Sequence, residues 1–222
     1  MAAPYMCIIY NFSINLDNHF PMLPDKDAQR MDALTDGVFA IVATLLVLEI
    51  KLPDLKGHSS ASEVGQSLLH VLPSFLAFAF SFLTVAIYWL NHDYLSSLIT
   101  RYTPPLKYLN LLLLFWICLI PFPTKFISEY PTLRIASVVY GTEMMMVAIS
   151  GTMVYRYLAF HSGQLHPSIS TATRKNVLRK YLGGPVLYGL SVILALVHPY
   201  LAIGMFILIP LLFVILPKVR LE

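Results

Sequence analysis

Charge is what this 222-residue sequence has least of: 12% of its residues are Asp, Glu, Lys or Arg, against about 25% in soluble domains. With 57% hydrophobic residues, the twelve acids and fifteen bases cannot supply the surface of a water-soluble domain of this size. The apolar excess must face something other than water, and lipid is the simplest candidate. Cysteine is scarce too. Cys7 and Cys118 make no disulfide framework, and Cys118, inside an apolar run, reads as a small buried hydrophobe. The seven histidines show no metal spacing, and nothing in the sequence calls for a cofactor. The first 24 residues lack the basic start and clean apolar core of a signal peptide. They read as part of an N-terminal tail, 1–29, ahead of one membrane domain, 30–220. The net charge of +3 does not point to nucleic acid, because the bases sit at the ends of apolar runs instead of forming one patch.

Those run ends give the organisation. No charged residue occurs between Glu63 and Asp93, between Lys107 and Lys125, or, apart from Glu143, between Arg134 and Arg156. Lys180 and Lys218 frame 37 uncharged residues, too many for one helix across a core of about 30 Å. His198-Pro199 near their middle supplies a break, so this stretch reads as a helical hairpin. The first segment differs: its uncharged centre, Gly37 to Leu48, is only twelve residues, with Asp32, Asp36 and Glu49 close by. A helix with acids this close in belongs against water or protein. The expectation is an all-α, polytopic protein of six spanning helices, near 31–52, 66–98, 105–127, 133–159, 175–197 and 200–217. An even number puts both termini on one side. Eleven of the fifteen Lys and Arg residues then fall on that side, and the positive-inside rule makes it the cytoplasm.

On the first helix, Ile41, Leu45 and Leu48 recur at i, i+4 and i+7 and share one face, with Thr44 beside them. Taken alone, such a stripe is a packing face. The surrounding string is more specific. Arg30-Met-Asp-Ala-Leu-Thr-Asp-Gly-Val-Phe-Ala-Ile-Val-Ala-Thr-Leu-Leu resembles the first-helix signature of the transmembrane protein 175 potassium channel family, prokaryotic branch. Arg30 and Asp36 match it, Thr35 keeps the hydroxyl of the family's Ser, and Leu34 replaces a Phe. Trp89-Leu-Asn-His92 resembles the family's Trp-x-x-His, and Asn110 with Pro121-Phe-Pro-Thr124 resembles its third helix.

The resemblance implies a potassium-permeable channel of six-helix chains assembled as a homotetramer in the plasma membrane of a prokaryote. Potassium ions and the lipid bilayer are its partners. The first helix lines the pore, Ile41 forms the constriction, and Leu45 and Leu48 add apolar layers. Thr44 brings a hydroxyl near the ion path. A narrow apolar ring can empty of water and stop ions without a moving plug. The Thr-Val-Gly-Tyr-Gly carbonyl filter of ordinary potassium channels is absent from the family and from this sequence. Glu49 and Asp54, near the outer end, are either a cation-concentrating mouth or a solvated loop. The topology returns Trp89, His92 and Asn110 to the depth of Arg30, Thr35 and Asp36. Together these form either a structural clamp on the pore helix or an ion-contacting group.

Glu143 stands alone in the fourth helix. With His92 it would suit a proton relay, so the alternative is a proton-coupled transporter. Against that reading, the sequence shows no internal repeat and no matched pair of broken helices. A membrane enzyme using His92-Asp93 with His161, His166 or His198 fits no motif.

Overall fold

The computed structural model describes residues 26–50, 61–167 and 169–215, and among these it is all-α. In chain order come α1 (Lys26–Leu45) continued by a 3₁₀ turn (Leu46–Glu49), α2 (Ala61–Leu69), α3 (Leu72–Ser96), α4 (Pro104–Leu119), α5 (Pro121–Glu129), α6 (Arg134–Phe160), α7 (Thr171–Val197) and α8 (Pro199–Ile215). Among the described residues, five helical stretches are long and apolar enough to cross a bilayer: Lys26–Glu49, Ser67–Ser96, Pro104–Glu129, Arg134–Phe160 and Thr171–Val197. The sixth, α8, is a shorter apolar helix of 17 residues.

Proline sets most of the boundaries. Pro104 and Pro105 open α4 after an extended Thr103, where a missing N–H costs no helical bond. Pro199 opens α8 immediately after the extended His198 that ends α7, the hairpin break expected from the sequence. Pro121 divides the third span, expected as one helix, into α4 and α5. The chain tightens just before it, with Ile120 N on Ile117 O at 3.2 Å. Ser170 caps α7 by accepting from Thr173 N at 3.1 Å. The first helix begins at Lys26, four residues inside the segment assigned to the tail; residues 1–25 lie outside the described ones.

The centre of the bundle is α6, which packs on α4, α5, α7 and α8 and carries far more buried residues than any other helix. Its contact with α7 and α8 is close enough that a Cβ at Gly141 would meet Val192 Cγ2 at 2.9 Å. In the core, Thr124 Oγ1 donates to Ser81 Oγ at 2.9 Å, which lies 3.0 Å from Tyr140 Oη, tying α5, α3 and α6 together. Cys118 corrects the sequence reading: it is exposed on the outer face of α4, not buried. In a membrane helix the lipid face is as apolar as the core, so an apolar neighbourhood does not distinguish them.

At one end of the bundle the N-terminus of α1 meets the α3–α4 and α6–α7 connections. Asp27 pairs with Lys107 Nζ at 2.7 Å. Gln164 Oε1 accepts from Thr100 N at 2.9 Å and Arg101 N at 3.0 Å, while its Nε2 donates to Arg101 O at 2.8 Å. Tyr102 donates to Asp32 Oδ1 at 3.0 Å. Burial, and then the Asp32 carboxylate, push this phenol well above its ordinary range, which keeps it a donor.

Candidate functional site

Helix α1 has two unlike faces. Ala28, Thr35, Phe39, Val42 and Leu46 are buried against α3 and α4. The opposite arc is open: Ile41 is 59% exposed, Leu45 42% and Leu48 70%, whereas Val42, next in sequence to Ile41, is 3% exposed. A step of about 100° per residue separates those neighbours into different environments. Beyond Leu45 the helix narrows to 3₁₀, closed by Ile50 N on Val47 O at 3.1 Å. Because i and i+3 eclipse in that geometry, Leu48 stands directly over Leu45. Thr44 is on the same open arc; its hydroxyl donates back to Ile41 O at 2.8 Å, with Ala40 O at 3.1 Å, leaving the oxygen lone pairs outward.

The buried face is held by polar bonds. Asn110, fully buried on α4, donates from Nδ2 to Thr35 Oγ1 at 2.8 Å. Its Oδ1 lies 2.8 Å from His92 Nε2. With the Asn110 oxygen facing the imidazole, Nε2 carries the proton and donates. Thr35 Oγ1 in turn donates to Met31 O at 2.8 Å. His92 also rests against Phe39, ring centroids 6.2 Å apart. Beside this chain, Trp89 Nε1 donates to Asp36 Oδ1 at 3.0 Å. Of the residues the sequence grouped at this depth, Thr35, Asp36, Trp89, His92 and Asn110 thus form two bonded sets joining α1 to α3 and α4. Arg30 does not enter either: it is exposed, with no hydrogen bond among the described residues. Tyr102, Asp32, Asp27 and Lys107 brace the same end of α1; the sequence marks Asp32 as an acid near the helix centre and Lys107 as the end of an apolar run, but gives neither a partner. The signal for their pairing was only that loop and helix start fall at one depth.

At the other end Glu49 Oε2 lies 3.5 Å from Lys125 Nζ, so its charge is partly offset by α5. Asp54 lies outside the described residues. Glu143 is buried on α6, with no hydrogen-bond partner for Oε1 among the described residues, and His92 is committed to Asn110. Among the described residues no three His, Cys, Asp or Glu side chains are grouped to hold a metal ion.

The arrangement is a helix bolted along one side and bare along the other. The model of the family described as endosomal/lysosomal potassium channel TMEM175 matches residues 30–121, the stretch holding both bonded sets. A protein of Chamaesiphon minutus named a potassium channel is 35% identical over 184 residues, covering 81% of this chain and 89% of its own length. Another, from a Chryseobacterium species and also named a potassium channel, is 34% identical over 193 residues, 87% of this chain and 95% of that one. The crystal structure of a lysosomal potassium-selective channel TMEM175 homolog from Chamaesiphon minutus superposes with a TM-score of 0.75 at 31% identity, over 86% of this chain and 97% of its own. The relatives are named as ion channels, not enzymes, and this multi-pass membrane chain belongs to the TMEM175 family.

Proposed function

We propose that the chain forms a potassium-permeable channel in which four copies place α1 around a central path. Both termini are cytoplasmic, and the host membrane is the plasma membrane of a prokaryote. The observation that carries this reading is the open stripe of Ile41, Leu45 and Leu48 on a helix whose other face is fixed to α3 and α4. Repeated by symmetry, Ile41 makes a narrow apolar ring that dewets when closed and conducts when it widens. Leu45 and Leu48 add layers beyond it. Lacking a carbonyl cage, the pore discriminates by size and partial dehydration, helped by the Thr44 hydroxyls. Glu49 attracts cations at the outer mouth, weakened by its Lys125 partner.

The test is Ile41→Ala in purified protein reconstituted into liposomes. Being 59% exposed within the chain, Ile41 can be truncated without opening a core cavity, so the protein should fold normally. Unitary conductance should rise and the preference for potassium over sodium, read from reversal potential, should fall. Ile41→Asn should also keep the ring wet. Val42→Ala, on the buried face, should lower stability and leave reversal potential alone. Unchanged conductance and reversal potential in well-folded Ile41→Ala channels would remove Ile41 from the ion path.

A further inference from the structure

A second feature lies between α6 and α7, whereas α1 packs on α3 and α4. A groove of about 280 Å³ runs between α6 and α7. From α6 it takes Ile149, Thr152, Met153 and Arg156, at i, i+3, i+4 and i+7; from α7 it takes Leu178, Leu182 and Pro185, at i, i+4 and i+7. Two helical stripes in register give a trough about 10 Å long, apolar along its length and cationic at one end.

Local sequence accounts for its shape. Pro185 has no N–H, so the carbonyl of Tyr181, four residues back, loses its helical partner. Thr152 Oγ1, which donates to Ala148 O at 2.7 Å, also lies 3.2 Å from that carbonyl and shares its proton with it from across the groove. At the deep end the helices close in, since a Cβ at Gly184 would meet Ala148 Cβ at 3.2 Å. At the other end Tyr155 Oη donates to Arg174 O at 3.0 Å, so Arg156, which lines the groove, comes to the level of Lys175, which lies just beyond the lining, three and seven residues before Leu178 and Leu182 on the same side of α7. Both are exposed, and neither has a hydrogen-bond or ion-pair partner among the described residues. Arg174 is not available to a ligand: its guanidinium is committed to Ile169 O at 3.1 Å and Ala159 O at 3.0 Å. No carboxylate lines the groove.

We infer that this groove is a binding site for an anionic phospholipid. One acyl chain lies along Ile149, Met153, Leu178 and Leu182, and the headgroup phosphate meets Arg156 and Lys175. Charge complementarity selects the occupant. Any phospholipid can offer the chain, but two cations without a facing carboxylate favour a headgroup of net negative charge. The inference needs only that the chain sits in a bilayer, and its readout is bound lipid, so it stands or falls separately from the pore reading.

The experiment is native mass spectrometry of the purified protein with phosphatidylglycerol and phosphatidylcholine of matched chains in equal amounts. The wild type should retain phosphatidylglycerol preferentially. Arg156→Gln and Lys175→Gln should each lower that preference about fivefold, the worth of one cation near an anionic headgroup, and together bring it near unity. Arg134→Gln, at the opposite end of α6, should leave it intact. Met153→Trp, which fills the trough without touching a charge, should lose retained phosphatidylglycerol and gives a second route if a charge variant folds poorly. Preference unchanged in the Arg156→Gln/Lys175→Gln pair, or retention unaffected by Met153→Trp, overturns the proposal. So does displacement of the lipid by millimolar inorganic phosphate, which would mark a site for a free anion.

Discussion

Ile41 and Val42 are adjacent in sequence and chemically alike, yet one is open and the other buried. The difference comes from which side of α1 is held, and Asn110 is a buried anchor of that side. It is fully buried and serves two partners at once, Thr35 and His92. Asn110→Leu keeps the heavy-atom branching but leaves the His92 ring nitrogen unpaired and Thr35 without its donor, at about 1–3 kcal/mol for each buried group. Trp89→Phe removes a bond whose partners are exposed, and interhelical bonds in bilayers average about 0.6 kcal/mol. The expected outcome is a much larger fall in melting temperature in detergent for Asn110→Leu than for Trp89→Phe. Equal shifts would mean that Asn110 is not the pivot of this contact. The first-helix string, the Trp-x-x-His pattern and the third-helix resemblance made Thr35, Asp36, Trp89, His92 and Asn110 legible in the sequence. Arg30 shared their depth but not their side of the helix, and depth was all that topology could supply. Tyr102 reaches Asp32 only because its loop folds back, a tertiary event without local spacing.

At the scale of elements, the six apolar segments were legible because bilayer-spanning helices must end where charge begins, and the charges are few. The hairpin break at His198-Pro199 was legible for the same reason that Pro121 should have been: proline removes a donor. The break at Pro121 was missed because apolar residues continue straight through it and no charge marks the place. Pro185 shows the opposite case, a proline inside a helix that does not end it. The compensation is Thr152, whose hydroxyl lies 2.7 Å from Ala148 O and 3.2 Å from Tyr181 O. A double-mutant cycle isolates that role. Thr152→Val should cost about 1 kcal/mol when Pro185 is present. In the Pro185→Ala background an ordinary N–H can serve Tyr181 O, so the same change should cost clearly less. Detergent melting curves of the four proteins measure the coupling; strict additivity would show that Thr152 does not compensate for Pro185.

For the whole molecule, exposed apolar residues cover most helices, as lipid contact requires. The open arc of α1 is different in kind. It sets Asp36, Gly37 and Thr44 among its apolar residues, and a carboxylate facing hydrocarbon is costly even with Trp89 donating to it. That arc belongs against water or protein. One chain offers one such helix, and one helix cannot enclose a conduit, whereas a closed cyclic ring of identical chains can. The ring proposed above has four copies, and native mass in detergent should then give a species of four 25.0 kDa chains. Gly37 supplies an internal check. A Cβ there meets no atom within 4 Å in the single chain, so the fold itself tolerates a larger side chain. Only in a ring do other copies bring atoms or a water-filled path to that surface. Gly37→Trp should then leave the helical circular dichroism of the chain unchanged while abolishing either the four-chain species or its current. A strictly monomeric protein that still conducts, or Gly37→Trp channels with wild-type mass and current, would show that α1 does not face the centre of an assembly.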